Sequence, residues 1–185
     1  MANKYRKIGF RLQKELIIIV AVLLVLLVAA ILLNLPTKSE KFVSEWSEAG
    51  ASIQDDSLFE AVSQKELKKL VEKNDKVFVL FVTSSDSDSV SLVNEVASMA
   101  SNFNIDKVYI LDSADYLGNR EEDTNLDSKL KELENDLGIK ESTQAPSLWM
   151  FEQHQFARQL NEDLHESTSG YTEPVKQVLV YNLTK

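Results

Sequence analysis

The amino-acid sequence predicts an α/β sandwich that follows a single N-terminal transmembrane helix. Residues 77–82 and 108–111 are near-continuous runs of β-branched, aliphatic and aromatic side chains, and amphipathic helical patterns separate such runs along the chain. Near-continuous apolar strands are typical of a sheet covered on both faces, and strands that alternate with helices favour parallel pairs with right-handed crossovers. The apolar run at residues 16–33 predicts the transmembrane helix.

The apolar run contains 18 residues without interruption. As a helix it covers about 27 Å, close to the ~30 Å hydrocarbon core of a bilayer. Leu16 and Leu35 are the ends of the predicted span, which Pro36 terminates, and lipid is its expected partner. The preceding residues 1–15 carry five basic side chains against one acid. The positive-inside rule therefore puts this N-terminus in the cytoplasm and everything after residue 35 outside the cell membrane.

A cleaved signal peptide is the alternative to an uncleaved anchor. The apolar core of a signal peptide usually has ~7–15 residues and ends at a small-residue site. Here the best candidate for such a site, residues 28–30, lies inside the longer run. We expect an uncleaved anchor, and either outcome leaves the remainder outside the cytoplasm.

The remainder is strongly acidic. The sequence has 20 basic and 29 acidic residues, of which 5 and 1 precede Pro36, so 15 and 28 follow it and the difference is −13. That charge repels phosphate backbones, and we expect no nucleic-acid partner. The chain has no cysteine and two histidines, His154 and His165. It therefore has no thiol for catalysis or metal binding, and we expect neither a metal site nor another cofactor.

The residues after the span divide into a polar stalk, 36–56, and one folded domain, 57–185. Phe42 and Trp46 are isolated aromatic residues of the stalk, and we expect them at the membrane interface rather than docked on the domain. Within the domain, a Ser63–Glu66 capping-box spacing starts the first helix, and Gly138 is placed to end a later one. The predicted strands are 58–62, 76–83, 107–112, 145–152 and 156–160; the predicted helices start near residues 63, 90, 126 and 173.

This order resembles the thioredoxin fold, a three-layer α/β sandwich, over residues 58–183. The segment 76–90, KVFVLFVTSSDSDSV, resembles the strand and turn that carry Cys-x-x-Cys, with Asp86 and Ser89 where the cysteines would be. Residues 144–148, QAPSL, resemble the loop whose cis-proline faces that turn. The chain is most similar to membrane-anchored bacterial envelope thioredoxin-like proteins of the bacteriocin-transport accessory type, in which an acidic, Asn-rich insert such as 116–125 precedes the next helix.

The missing cysteines exclude the chemistry that the resemblance implies, because thiol–disulfide exchange requires a thiolate and a second sulfur. Asp86 and Asp88 could begin a cation site, but the further ligands of a calcium loop are absent, and a helix cap is the simpler interpretation. A serine of the turn could pair with His154 in a hydrolase, although no nucleophile elbow occurs. We expect His154 to be a solvated residue of a hairpin turn.

The resemblance implies a groove for extended polypeptides beside the proline. The candidate groove residues are Ser85, Asp86, Ser87, Asp88, Ser89, Ala145 and Pro146. The sequence thus favours a non-enzymatic, membrane-tethered protein that binds envelope polypeptides as a scaffold or as an accessory subunit of a secretion, bacteriocin-export or conjugative-transfer complex. A membrane-anchored enzyme or cation-binding protein is the alternative.

Overall fold

The computed structural model describes residues 16–30, 38–53, 57–118, 125–140, 142–160 and 172–180. The chain divides into two compact units, Met1–Thr37 and Lys38–Lys185. In the first unit, residues 16–30 form the described part of helix α1, and all of its side chains are exposed. Among the described residues, no helix combines the length and the apolar character that crossing a bilayer requires. Residues 31–35 of the predicted span lie outside the described part of the chain.

The second unit contains a five-stranded sheet. Its strands are β1 (Phe59–Ala61), β2 (Lys76–Val82), β3 (Val108–Asp112), β4 (Ser147–Glu152) and β5 (Gln155–Gln159), in the spatial order β1-β3-β2-β4-β5. β3 lies parallel to both β1 and β2, whereas β4 is antiparallel to β2 and to β5. β4 and β5 form the hairpin that the sequence predicts around His154.

The direction of β4 does not follow from the alternation of strands and helices. A helix separates β3 from β4, and that pattern favours a parallel pair, but β4 returns beside β2 in the opposite direction. The alternation of strands and helices carries no information about which sheet edge a strand joins after its crossover. The direction of β4 follows from its antiparallel pairing with central strand β2.

The helices of the second unit cover both faces of the sheet. They are α2 (Lys38–Glu48), α3 (Gln64–Lys73), α4 (Ser87–Met99), α5 (Ala114–Leu117), α6 (Leu126–Leu137) and α7 (Thr172–Leu179), with a 3₁₀ turn at Ala100–Phe103. α7 confirms the predicted C-terminal helix. The short helix α5 was not predicted, because it lies in a polar stretch without apolar periodicity.

Central strand β2 supplies side chains to two separate cores, as its continuous apolar run predicts. Phe78, Leu80 and Val82 pack with α2, α4 and α7 on one face. Val77, Val79 and Phe81 pack with α3 and α6 on the other. The result is three layers, helices–sheet–helices. This layering and the strand order are those of the thioredoxin-like fold.

The predicted stalk is part of the folded unit wherever the structure describes it. Helix α2 replaces most of it, and its Phe42 and Trp46 are 4% and 3% exposed within the core. The two rings lie 5.4 Å apart, and Phe42 also lies 5.3 Å from Phe59 of β1. The interface interpretation of these aromatics was therefore wrong, and the folded unit begins at Lys38 rather than at residue 57.

Candidate functional site

The turn between β2 and α4 is built around Asp86, which caps the helix. One of its carboxylate oxygens accepts from the backbone N–H of Ser89 at 2.9 Å, and the other accepts from that of Asp88 at 3.4 Å. These N–H groups have no acceptor within the helix, and a carboxylate at this end also complements the helix dipole. The prediction of a cap at Asp86 is confirmed.

Ser89 fastens the cap to the sheet. Its side chain is fully buried, its hydroxyl donates to Asp86 at 2.8 Å, and its oxygen accepts from the backbone N–H of Thr83 at 3.3 Å. The Ser89 hydroxyl thus both donates and accepts a hydrogen bond within the protein. The two positions aligned with cysteines therefore hold a structural hydrogen-bond pair, and within the described ranges no group of three metal-binding side chains assembles here or elsewhere.

The other candidate residues of this turn face solvent. Ser85, Ser87 and Asp88 are exposed, and the Ser85 hydroxyl lies 3.4 Å from that of Thr83. These side chains are available for hydrogen bonds with another molecule, whereas Asp86 and Ser89 hold the backbone that presents them.

The proline loop comes to the same end of the sheet. The peptide bond between Ala145 and Pro146 is cis, as the resemblance implies. Ser147 pairs with Phe81 in the antiparallel ladder, so the residues that precede Ser147 lie beside those that follow Phe81. Ala145 is exposed and Pro146 half-buried. The fold thus brings the two predicted halves of the groove to the same end of the sheet.

Buried polar atoms surround the base of this loop, which sequence reasoning did not predict. The hydroxyls of Thr143 and Ser147, the indole nitrogen of Trp149 and the amide oxygen of Gln159 are buried without a protein partner. Such atoms are the ones that ordered water satisfies in folded proteins. No periodic pattern distinguishes a buried hydroxyl from an exposed one, so no sequence signal could have found them.

Helix α2 forms a further wall of the site, also unpredicted. Ser84 donates to the carboxylate of Glu45 at 2.5 Å, which joins α2 to the β2–α4 turn. Beneath them lies a cavity of about 200 Å³ at the carboxyl ends of β1, β2 and β3. Its lining includes Trp46, Gln64 and Tyr116. The four-residue spacing of Phe42 and Trp46 was the available signal that this segment is a helix with one buried face.

Tyr116 is the strongly perturbed titratable group of this cavity. Burial raises the pKa of its phenol to about 12, and the carboxylates of Asp115 and Glu132 add to the effect. The neutral hydroxyl lies 3.3 Å from the side-chain oxygen of Gln64, to which it donates. At neutral pH this group can donate a hydrogen bond but cannot act as a base.

His154 lies at the opposite end of the sheet. It is a turn residue of the β4–β5 hairpin, as predicted, and its ring Nδ1 donates to the carbonyl of Val71 at 2.9 Å. The neighbouring Gln153 N–H donates to the carbonyl of Asp75, just before β2 begins. The serines follow the other end of β2, roughly 20 Å away at ~3.3 Å per residue. A serine–His154 pair is therefore excluded; His165 lies outside the described residues.

No known protein family matches the sequence, and no curated protein does. Among solved structures, the oxidised thioredoxin of Plasmodium falciparum is similar at 14% identity and a TM-score of 0.41, covering 63% of this chain and 94% of that one. A second structure of Plasmodium falciparum thioredoxin has 17% identity, a TM-score of 0.41 and coverages of 64% and 94%. Thioredoxin O2 of Arabidopsis thaliana has 14% identity, a TM-score of 0.37 and coverages of 56% and 81%.

The strand order, the layering and the proline loop together define the site. Asp86 and Ser89 lie in the β2–α4 turn, where the Asp86 carboxylate caps helix α4. This chain has a thioredoxin-like fold without a single cysteine.

Proposed function

We propose that this chain is a redox-inactive, membrane-tethered thioredoxin-like protein that binds other polypeptides. Its role is that of a scaffold or accessory subunit in a bacterial envelope complex for secretion, bacteriocin export or conjugative transfer. The observation that carries the proposal is the turn at Asp86 and Ser89. The fold keeps this turn in place through a buried hydrogen-bond network while the sulfurs are missing.

Redox inactivity follows from the chemistry of the groups present. A mixed disulfide forms only when a thiolate attacks sulfur, and neither the Asp86 carboxylate nor the Ser89 hydroxyl can replace it. Both side chains are also engaged in the helix cap. A turn of this kind retains a shape for recognition but has no group for electron transfer, so we assign no enzymatic activity to it.

The apolar N-terminal segment supports the tether. Its 18-residue run has a basic flank on one side, and the described side chains from Leu16 to Val28 include many that are 47–67% exposed. A helix that is apolar on every side is stable in lipid rather than in water. Residues 1–15 are then cytoplasmic, and the acidic unit that begins at Lys38 is held outside the cell membrane.

The groove lies where the β2–α4 turn and the proline loop meet. Ser85, Ser87, Asp88 and Ala145 are exposed there and offer hydroxyl, carboxylate and backbone groups to an extended polypeptide. An extended chain can pair with such backbone groups, while neighbouring side chains provide specificity. The difference of −13 charges after Pro36 favours basic segments of envelope proteins over nucleic acid as partners.

Site-directed photo-crosslinking of the full chain in native membranes tests this function. The chain contains no cysteine, so a single introduced one carries a benzophenone maleimide at a unique place. Ser85→Cys and Ala145→Cys place the probe at the groove, and Gln155→Cys places it on exposed strand β5 near the other end of the sheet. We expect the first two variants to yield the same discrete adduct and the third not to.

The comparison between the three positions decides the outcome. If neither groove position yields an adduct, or if Gln155→Cys yields an equally strong one, a polypeptide-binding groove at this place is excluded. Carbonate extraction of the same membranes tests the tether separately: an anchored chain stays in the pellet, and a chain released into the supernatant does not have the proposed anchor.

A further inference from the structure

Helix α2 packs on the rest of its unit through one apolar face. Phe42 and Trp46 are its two fully buried aromatic anchors, and they pack beside β1. Most of the other side chains of the helix are exposed. An isolated helix of 11 residues is marginal in water, so the docking of these rings sustains α2.

The Glu45–Ser84 hydrogen bond fastens α2 to the candidate groove. Ser84 immediately precedes the exposed Ser85, and its hydroxyl donates to Glu45 at 2.5 Å. A charge-assisted hydrogen bond of this kind is stronger than a neutral one. The bond occupies the hydroxyl that would otherwise face a ligand at this end of the turn.

A cavity and a glycine with positive φ adjoin α2. The cavity of about 200 Å³ lies between α2 and the strand ends, with Glu45, Trp46 and Ser84 all in its lining. Directly after the helix, Gly50 has a φ of +98°, and nothing lies within 4 Å of the place where a Cβ would stand. Elements with few buried contacts are those that open locally while the rest of a protein stays folded.

We propose that α2 is a hinged cover over the Ser84 end of the groove and that the Glu45–Ser84 hydrogen bond is its latch. In the closed state Ser84 is engaged and the apolar ends of β1 and β2 are covered. In the open state Ser84 becomes available, and the surface beside the groove extends to the carboxyl ends of these strands. The use of the cover in controlling polypeptide access rests on the proposed function; the cover itself does not.

Hydrogen exchange of the full chain in detergent micelles tests the latch without any partner. Ser84→Ala and Glu45→Ala each remove one side of the bond, and Ser85→Ala is the matched control in the same turn. We expect amides of α2 to exchange about 3- to 10-fold faster in the first two variants, which is the loss expected for one hydrogen bond. Exchange in α6, on the opposite face of the sheet, reports the stability of the whole unit and should not change.

Fluorine NMR with 5-fluorotryptophan gives a second readout. The chain has two tryptophans, Trp46 on the buried face of α2 and Trp149 packed against Phe81 on the other face of the sheet. Opening should shift or broaden the Trp46 signal in both latch variants and leave that of Trp149 unchanged. An α2 that exchanges at the wild-type rate in both variants overturns the proposal, and so does an equal acceleration in α6, which would mean that the bond stabilises the whole unit.

Crosslinking then separates this inference from the proposed function. Ser85→Cys with the benzophenone probe is combined with Glu45→Ala in native membranes, and an open cover should increase the adduct several-fold. If no adduct forms with or without Glu45→Ala, the polypeptide-binding function fails, while the exchange experiment still decides whether α2 is a latched cover. An adduct that does not increase although α2 exchanges faster overturns the role of the cover in access.

Discussion

Helices α3 and α4 both start at the carboxyl end of the parallel strands, and they are capped in different ways. At α3, Ser63 and Glu66 form a reciprocal capping box in which all groups are exposed and lie within one turn. At α4, the Asp86 carboxylate holds Ser89, which is buried and also accepts from Thr83 at the end of β2. The first cap is local, and the second joins a helix to the central strand.

The difference shows where the fold holds its backbone most firmly. Local caps stabilise one helix end, whereas a buried cap that reaches the sheet also fixes the path of the turn between them. The firmly held turn is the one that the fold presents beside the proline loop. The chain thus constrains the shape of this turn through contacts to the sheet, although it has no cysteine.

Removal of the Asp86 carboxylate should have the largest effect. Asp86→Ala removes the cap and leaves the buried Ser89 hydroxyl without its acceptor, so we expect a loss of about 2–3 kcal/mol in the free energy of unfolding. Urea denaturation followed by circular dichroism measures it. Asp88→Ala, at an exposed first-turn carboxylate, is the control, and equal losses for both variants would show that the buried network contributes nothing beyond the helix dipole.

The α3 cap should contribute less. Ser63→Ala breaks only exposed hydrogen bonds, and a loss of about 0.5–1 kcal/mol is expected from the same denaturation experiment. Gln144→Ala, at an exposed residue of the loop before the proline, should be neutral. A loss at Ser63 as large as that at Asp86 would contradict the distinction between a local and a sheet-linked cap.

Tyr116 tests the α3 end at alkaline pH, because its hydroxyl donates to Gln64, the first residue of that helix. Burial raises its pKa from 10.0 to about 12, so the folded state keeps the proton that the unfolded chain loses. The stability from this group is complete below pH 10 and falls as the pH rises towards 12. Tyr116→Phe should reduce the alkaline loss by less than about 1 kcal/mol, since partial hydration screens the ring.

The measurement compares the unfolding free energies of Tyr116→Phe and wild type at pH 8 and at pH 11. Tyr109→Phe is the reference variant, because burial also raises the pKa of Tyr109, a residue of β3. If the stability of Tyr116→Phe falls with pH as steeply as that of the wild type, Tyr116 does not contribute to the alkaline loss of stability.

The smallest effect is expected at the exposed pair of Lys68 and Asp136. The Lys68 ammonium donates to Asp136 at 2.7 Å, and this bond, followed by that from Gln64, lowers the pKa of the Asp136 carboxyl. The stabilising contribution of the carboxylate is present above its ordinary pKa and is lost as the pH falls through the lowered one. Lys68→Ala should therefore move the carbon-13 titration of Asp136 to higher pH without a resolved change in stability at pH 7. Lys69→Ala, the control, should change neither the titration nor the stability.

Sequence reasoning succeeded where the information was local. The spacing of Ser63 and Glu66, the carboxylate at Asp86 and the continuous apolar run of β2 each specify a structure within a few residues, and each was confirmed. It failed where contacts join distant segments. The packing of Phe42 on Phe59 and the bond from Ser84 to Glu45 connect residues that no local pattern relates.

The two edge strands of the sheet are poorly suited to pairing with another sheet. β1 is three residues long, and β5 carries a bulge at Ala157, where the register with β4 shifts. Short or bulged edge strands pair poorly with other sheets. If the chain is tethered as proposed, copies on one membrane face would meet often and in similar orientations, and these two edges would protect them from edge-to-edge aggregation at high surface density.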